Sequence, residues 1–172
     1  DDVFKTTWQD HLDKININFN YNGETNTCNI YLNGVSVEDK IRSLEISQQV
    51  SYVSKLKAVR KKMFFLQKSF GKNKGIVMDG RDIGTIIFPD AEVKLWITAS
   101  TKVRAARRYK EMVEQGYSPS LEDVIANIKQ RDHEDSNRKE SPLKKAIDAK
   151  VIDNSILTKD ETLNIAMDLI NK

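Results

Sequence analysis

The chain has 172 residues, with 28 lysines and arginines against 25 aspartates and glutamates, a length that supports one substantial core or a core with a small inserted lobe. Its single cysteine excludes an internal disulfide, the two histidines His11 and His133 give no metal-ligand spacing, and the net charge of +3 leans only slightly toward anionic ligands. No apolar stretch approaches bilayer length, and the opening Asp-Asp-Val-Phe-Lys has none of the regions of a signal peptide, so a reducing cytosol is the expected location.

In chain order, residues 15–36 stand apart. Ile15, Ile17 and Phe19 alternate with asparagines, and Asn22-Gly23 and Asn33-Gly34 punctuate the alternating runs. Asn-Gly between such runs is a hairpin signal, so about three short antiparallel strands are predicted here. From Val37 the pattern turns helical to about Ser47, and a longer helix is predicted over residues 53–70, stopped by Gly71. Residues 76–78, Ile-Val-Met, read as a buried parallel strand that empties into Asp79, Gly80, Arg81, Asp82 and Gly84. Further apolar runs at 93–98 and 150–153 alternate with predicted helices near 101–116, 121–137 and 158–171. Strand and helix in alternation indicate a parallel α/β sheet, in which ligands bind beyond the carboxyl ends of the strands. Residues 116–120, Gly-Tyr-Ser-Pro-Ser, separate two highly charged helices and fit either a flap tip or a plain interhelix loop.

Three clusters point to a polar, anionic ligand. Arg104, Arg107 and Arg108 recur at i, i+3 and i+4 behind a cap at Ser100 or Thr101, and arginine donors match phosphate oxygens in pairs. Taken alone, that spacing is better explained by a solvated helix face with incidental arginines. Arg131, Asp135 and Arg138 form a second stripe, which fits a surface ion-pair ladder or a carboxylate held ionised to accept hydrogen bonds from ribose hydroxyls. The third comprises Ser51 and Arg60 within a lysine-rich stretch running to Lys74. Such a run suits a solvated helix or a nucleic-acid patch, but it lacks interleaved exposed aromatics, which argues against nucleic acid as a partner.

Taken together, these motifs closely resemble the bacterial cytidylate kinases, which transfer the terminal phosphoryl group of ATP to CMP or dCMP. The resemblance is carried by Ser51 with Val59-Arg60, by Asp79-Gly80-Arg81-Asp82-Ile83-Gly84-Thr85 with Phe88-Pro89-Asp90-Ala91, by the Arg104, Arg107, Arg108 helix, by Arg131-Asp132 with Asp135 and Asn137-Arg138, and by Ser141-Pro142-Leu143. It implies a P-loop NTPase-like parallel sheet with flanking helices, made of residues 1–12 and 52–172 with a short lid near 104–122, and a CMP-binding lobe inserted at 13–51. It also implies roles. Ser51, Arg60 and Asp82 would read the base, Arg81 would clamp phosphate, Arg131 with Asp135 and Arg138 would hold ribose or phosphate, and Arg107 and Arg108 would close over ATP. Asp79 would hold Mg²⁺, through water. Arg81, Asp79, Arg131 and Arg138 are the candidate catalytic residues, in an enzyme expected to be a cytoplasmic monomer.

One element of the family pattern does not occur in these 172 residues: Gly-x-x-x-x-Gly-Lys-[Ser/Thr]. Gly71-Lys72-Asn73-Lys74-Gly75 precedes a predicted strand, whereas a phosphate-cradling loop follows one and opens a helix. The resemblance therefore implies a kinase without its first βαβ unit, roughly 50 residues, and inactive alone. The alternatives are a non-catalytic nucleotide-binding fragment or paralogue and, less favoured, a basic RNA-binding module. The implied sheet order places the absent strand between the strands near Ile76 and Val93, leaving an unpaired slot.

Overall fold

The structure, a computed structural model, describes residues 11–171 apart from Asn26, Arg42 and Ser43. By its internal contacts the chain divides into two compact units, one ending at Lys74 and the other beginning at Gly75.

The first unit holds an antiparallel sheet of β1 (Ile17–Asn22), β2 (Thr27–Leu32) and β3 (Val35–Ser36), in that order. Leu32 pairs with Val35 across Asn33-Gly34, whose φ values of 50° and 83° are both positive, as the tightest hairpin turns require. Asn33 also fastens the hairpin to the start of β1, because its side-chain oxygen accepts from the Asn16 N–H at 2.8 Å and its own N–H donates to Asn16 O at 2.8 Å. Asn22-Gly23 does not make a two-residue turn. Asn22 pairs with Thr27, and its side-chain oxygen accepts from the Glu24 N–H at 2.9 Å to shape a longer loop.

Three helices follow: α1 (Glu38–Ile41), α2 (Leu44–Val53) and α3 (Lys57–Phe70). The predicted helix over 53–70 is thus cut at its start. Leu56 is extended, with φ −71° and ψ 120°, and the Lys55 and Leu56 N–H groups reach back only three residues, to Tyr52 O and Val53 O. Such tightening closes one helix before the next begins. Arg60 Nη1 donates to Ser54 O at 3.3 Å, satisfying a carbonyl of that break. Phe19 on β1 meets Phe70 at the end of α3 edge-on, with centroids 5.1 Å apart.

The second unit is built on a parallel pair, β4 (Leu95–Thr98) and β5 (Lys150–Asp153), with Trp96 opposite Val151 and Ile97 opposite Ile152. Helix α4 (Thr101–Glu114) leaves β4, α5 (Leu121–Asn137) packs on α4, and α6 (Lys159–Ile170) leaves β5. Ala105 and Ile152, 0% and 3% exposed, lie in the core with Ile87, Ala99 and Val124. Each helix start is capped by a hydroxyl: Ser100 accepts from the Val103 N–H, Ser120 from Asp123, and Thr158 forms a reciprocal box with Glu161. The predicted helices at 101–116, 121–137 and 158–171 are therefore present with ends displaced by a residue or two.

The predicted strand at 76–78 is not formed. A strand exists through hydrogen bonds to a neighbour, and among the described residues β4 pairs only with β5. The segment is consequently unpaired, and Val77 is 96% exposed rather than buried. The chain then tightens into a π turn at Ile83–Ile87, in which the Ile87 N–H reaches back five residues to Asp82 O at 3.2 Å and the Phe88 N–H reaches Ile83 O at 2.7 Å.

Candidate functional site

Four charged side chains of the second unit form a chain of alternating sign. Arg81 Nε donates to Asp135 Oδ2 at 2.9 Å, and Asp135 Oδ1 accepts from Arg138 Nη1 at 3.4 Å. Arg138 Nη2 lies 3.7 Å from Asp82 Oδ1. Arg138 and Asp82 are each 11% exposed and Arg81 46%, so the charge grows more accessible from one end of the chain to the other.

The backbone explains why these residues meet. Asp82 O accepts from the Ile86 and Ile87 N–H groups at the head of the π turn, which fixes the main chain just after Arg81. Asp135 stands in the last turn of α5, and Arg138 is the residue that ends it, with extended φ and ψ of −64° and 143°. Beyond it, Ser141 has a left-handed φ of 50°, and its carbonyl accepts from Arg138 Nε at 2.5 Å. The Leu143 N–H donates to Asp135 O at 2.8 Å and folds the chain back over the helix end. The guanidinium of Arg138 thus reaches a carbonyl and two carboxylates from one fixed plane, a geometry that lysine does not reproduce.

Arg131 is half-buried but makes no ion pair with Asp135; among the described residues Asp135 pairs with Arg81 and Arg138 instead. An arginine four residues before an acid is the less favourable helical order, and Asp135 pairs forward with Arg138 at the helix end and with Arg81 from outside the helix. Asp79 is exposed on the loop ahead of the cluster. Arg60 and the backbone of Ser51 belong to the first unit, and the side chain of Ser51 lies outside the described residues.

The arginines of α4 do not act as one face. Arg104 is committed to Asp132 of α5 through a two-point contact at 3.1 and 2.7 Å and also donates to Ala99 O. Arg107 reaches the loop after β5, donating to Asn154 Oδ1 at 3.0 Å, Asn154 O at 2.7 Å and Leu157 O at 3.2 Å. Arg108 pairs with Glu111 on its own helix at 3.5 Å.

At the carboxyl ends of the strands, Ser155 Oγ donates to Asp153 Oδ1 at 2.6 Å and accepts from the Ser100 N–H at 2.9 Å, joining β5 to the start of α4. The Ser155 hydroxyl and N–H hold the Asp153 carboxyl below the usual range. Asp148 is held low chiefly by the hydrogen bond from Lys94. These anchors were not singled out from the sequence: Lys94 and Asp148 lie 54 residues apart and Ser100 and Ser155 lie 55 apart, and no spacing announces either pair.

Among the described residues no three His, Cys, Asp or Glu side chains gather into a metal-binding group, and no helix is long and apolar enough to cross a membrane. Asp79 is exposed and makes no hydrogen bond or ion pair among the described residues, so its carboxylate is accessible to a hydrated cation such as Mg²⁺.

Parallel strands with helices behind them and an arginine–carboxylate cluster in the connecting segments define an α/β protein suited to a polar, anionic ligand. The family model for cytidylate kinase matches residues 2–172. The chain is 54% identical over 144 residues to a cytidylate kinase of Bacteroides fragilis, a match covering 84% of this chain and 63% of that one. It is 52% identical over 147 residues to one of Parabacteroides distasonis, covering 86% and 64%, and 45% identical over 161 residues to one of Flavobacterium psychrophilum, covering 94% and 71%. The chain belongs to the cytidylate kinase family, with the nucleoside monophosphate kinase type of P-loop fold that this membership entails. It spans under two thirds of the length of the Bacteroides and Parabacteroides relatives.

Proposed function

We propose that the whole protein transfers the terminal phosphoryl group of ATP to CMP and dCMP, as a cytosolic monomer, and that these 172 residues carry the acceptor half of the site. The observation that carries this reading is the Arg81–Asp135–Arg138–Asp82 chain of charges, in a member of the cytidylate kinase family.

Cytosine presents an amino donor at its 4-position, where uracil presents an acceptor. Asp82 offers carboxylate oxygens that accept from the first and repel the second, and the Arg138 guanidinium lies 3.7 Å from one of them. Arg81 uses Nε on Asp135, so its terminal nitrogens take the acceptor phosphate. Asp135 receives ribose hydroxyls on its remaining lone pairs, with Arg131 beside it on the helix. Ser51 and Arg60 add contacts to the base.

Phosphoryl transfer asks little covalent chemistry of a protein, so these residues act by orienting the acceptor and neutralising charge. Mg²⁺, with Asp79 in its water shell, would supply charge neutralisation between the phosphates. On the donor side, Arg107 exchanges the Asn154 and Leu157 carbonyls for phosphate oxygens as residues 104–122 close, joined by Arg108. Without a phosphate-cradling loop among its residues, this chain alone binds CMP and does not turn over.

A coupled assay of ADP release with CMP, dCMP, UMP and AMP tests the reading on the whole protein. CMP-dependent turnover is expected, and its absence refutes the kinase. Asp82→Ala should reduce CMP-over-UMP discrimination by about 1–3 kcal/mol, the worth of a specific base contact. An equal loss toward both pyrimidines removes Asp82 from that role.

A further inference from the structure

Lys94 is a nearly buried cation that the phosphoryl-transfer reading does not use. Its side chain is 9% exposed, and Nζ donates to Asp148 Oδ2 at 2.7 Å and also to Pro89 O. A cation so enclosed is costly unless its donors are met, and here one partner lies just after the π turn and the other just before β5. The backbone of the same residue begins the sheet, for Lys94 O accepts from the Lys150 N–H at 2.9 Å.

The aliphatic stem of Lys94 passes across Gly84 inside the π turn. A Cβ at position 84 would stand 3.4 Å from Lys94 Cδ and 3.5 Å from Cγ, ordinary contact distances, so the stem runs alongside the turn with room for a methyl group between them. The stem therefore lies beside the turn at Gly84, and its ammonium donates to the turn's exit at Pro89. Asp82, which heads the turn, accepts from Ile86 and Ile87 through its carbonyl and faces Arg138 through its side chain. Movement of residues 82–89 away from β4 would carry the Asp82 carboxylate and the neighbouring Arg81 with it.

We infer that Lys94, clamped by Asp148, is a positioning residue that sets the place of Arg81 and Asp82 for the acceptor nucleotide. It touches neither substrate nor reacting atoms. The inference builds on the proposed acceptor site, and it has a physical consequence that does not depend on activity: the π turn must be held shut by the Lys94–Asp148 pair.

Two variants test it in the whole protein, Lys94→Met, which keeps most of the stem and removes the charge, and Asp148→Asn, which changes the exposed partner. Amide hydrogen exchange at Ile86, Ile87 and Phe88 should accelerate by about tenfold in both, with exchange in the middle of α4 unchanged. The KM for CMP should rise by about tenfold while kcat and the KM for ATP hold, since displacement of a substrate-positioning group weakens the acceptor geometry. Lys94→Arg, long and charged, should restore much of both effects. Unchanged turn exchange, or acceleration spread evenly over the unit, overturns the inference; so does accelerated turn exchange with an unchanged KM for CMP. If the parent shows no CMP-dependent turnover, the kinase reading fails; calorimetric binding of CMP then takes the place of KM, and the same outcomes decide the role of Lys94.

Discussion

Replacing Arg138 by methionine keeps the width of the side chain and removes every polar contact of the guanidinium. It leaves Asp82, 11% exposed, and Asp135, 20% exposed, facing a neutral side chain, and it withdraws the donor to Ser141 O. Breaking a fully buried pair from one side costs about 3–5 kcal/mol. Two features reduce that figure here: the contacts to the carboxylates are long, 3.7 and 3.4 Å, and Asp135 retains Arg81 at 2.9 Å. The expected loss is therefore about 2 kcal/mol, most of it from Asp82, which keeps a charge with less to balance it. Urea unfolding followed by the fluorescence of Trp96, which lies on β4 of the same unit, measures it in a Trp8→Phe background. The Arg138→Lys variant should fall between parent and methionine, because one ammonium cannot serve both carboxylates and the carbonyl. A loss below about 0.5 kcal/mol for Arg138→Met, the range of an ordinary surface change, would refute the reasoning.

Two further outcomes are expected. Gly80→Ala would bring a Cβ to 2.9 Å from Ile83 Cγ1 and 3.1 Å from Cδ1, so the Ile83 side chain must shift at the entrance of the π turn; a loss of about 1 kcal/mol in urea unfolding is expected, and no loss would show that the side chain yields freely. Asp148, Asp153 and Glu161 all have carboxyls held low, by Lys94, Ser155 and Thr158 respectively. Their contribution is complete above the ordinary carboxylate values and is lost as pH falls through the lower folded ones, so stability should drop from about pH 4 downward, and a variant with Asn, Asn and Gln at these positions should lose less over that interval.

What was legible in the sequence was whatever depends on near neighbours. The Asn33-Gly34 turn needs only its own two positive φ angles, and Ser100, Ser120 and Thr158 cap helices within three residues of themselves. The apolar runs at β4 and β5 were legible because a parallel partner was present to complete them. Ile76-Val77-Met78 is at least as apolar but has no strand partner among the described residues, and composition alone does not make a strand. The site divides in the same way. Asp135 and Arg138 were visible as a helical stripe, whereas Arg81 finds Asp135 across 54 residues and Arg104 finds Asp132 across 28. Arg131 is near Asp135 by spacing, but the ion pairs of Asp135 are with Arg138, three residues on, and with Arg81.

The main chain and the side chain of Asp82 have separate tasks. Its carbonyl gathers the Ile86 and Ile87 N–H groups and, at 3.4 Å, the Thr85 hydroxyl, while its carboxylate lies 3.7 Å from Arg138 Nη2. The bonds that the turn draws from the carbonyl of position 82 are thus made by a backbone atom that other residues also carry. If Asp82 reads the base as proposed, position 82 is a natural place to diversify in a selection for altered base preference: a library there would vary the side chain while keeping the carbonyl that the turn uses, and the balancing mutation to pair with each new side chain would be sought at position 138.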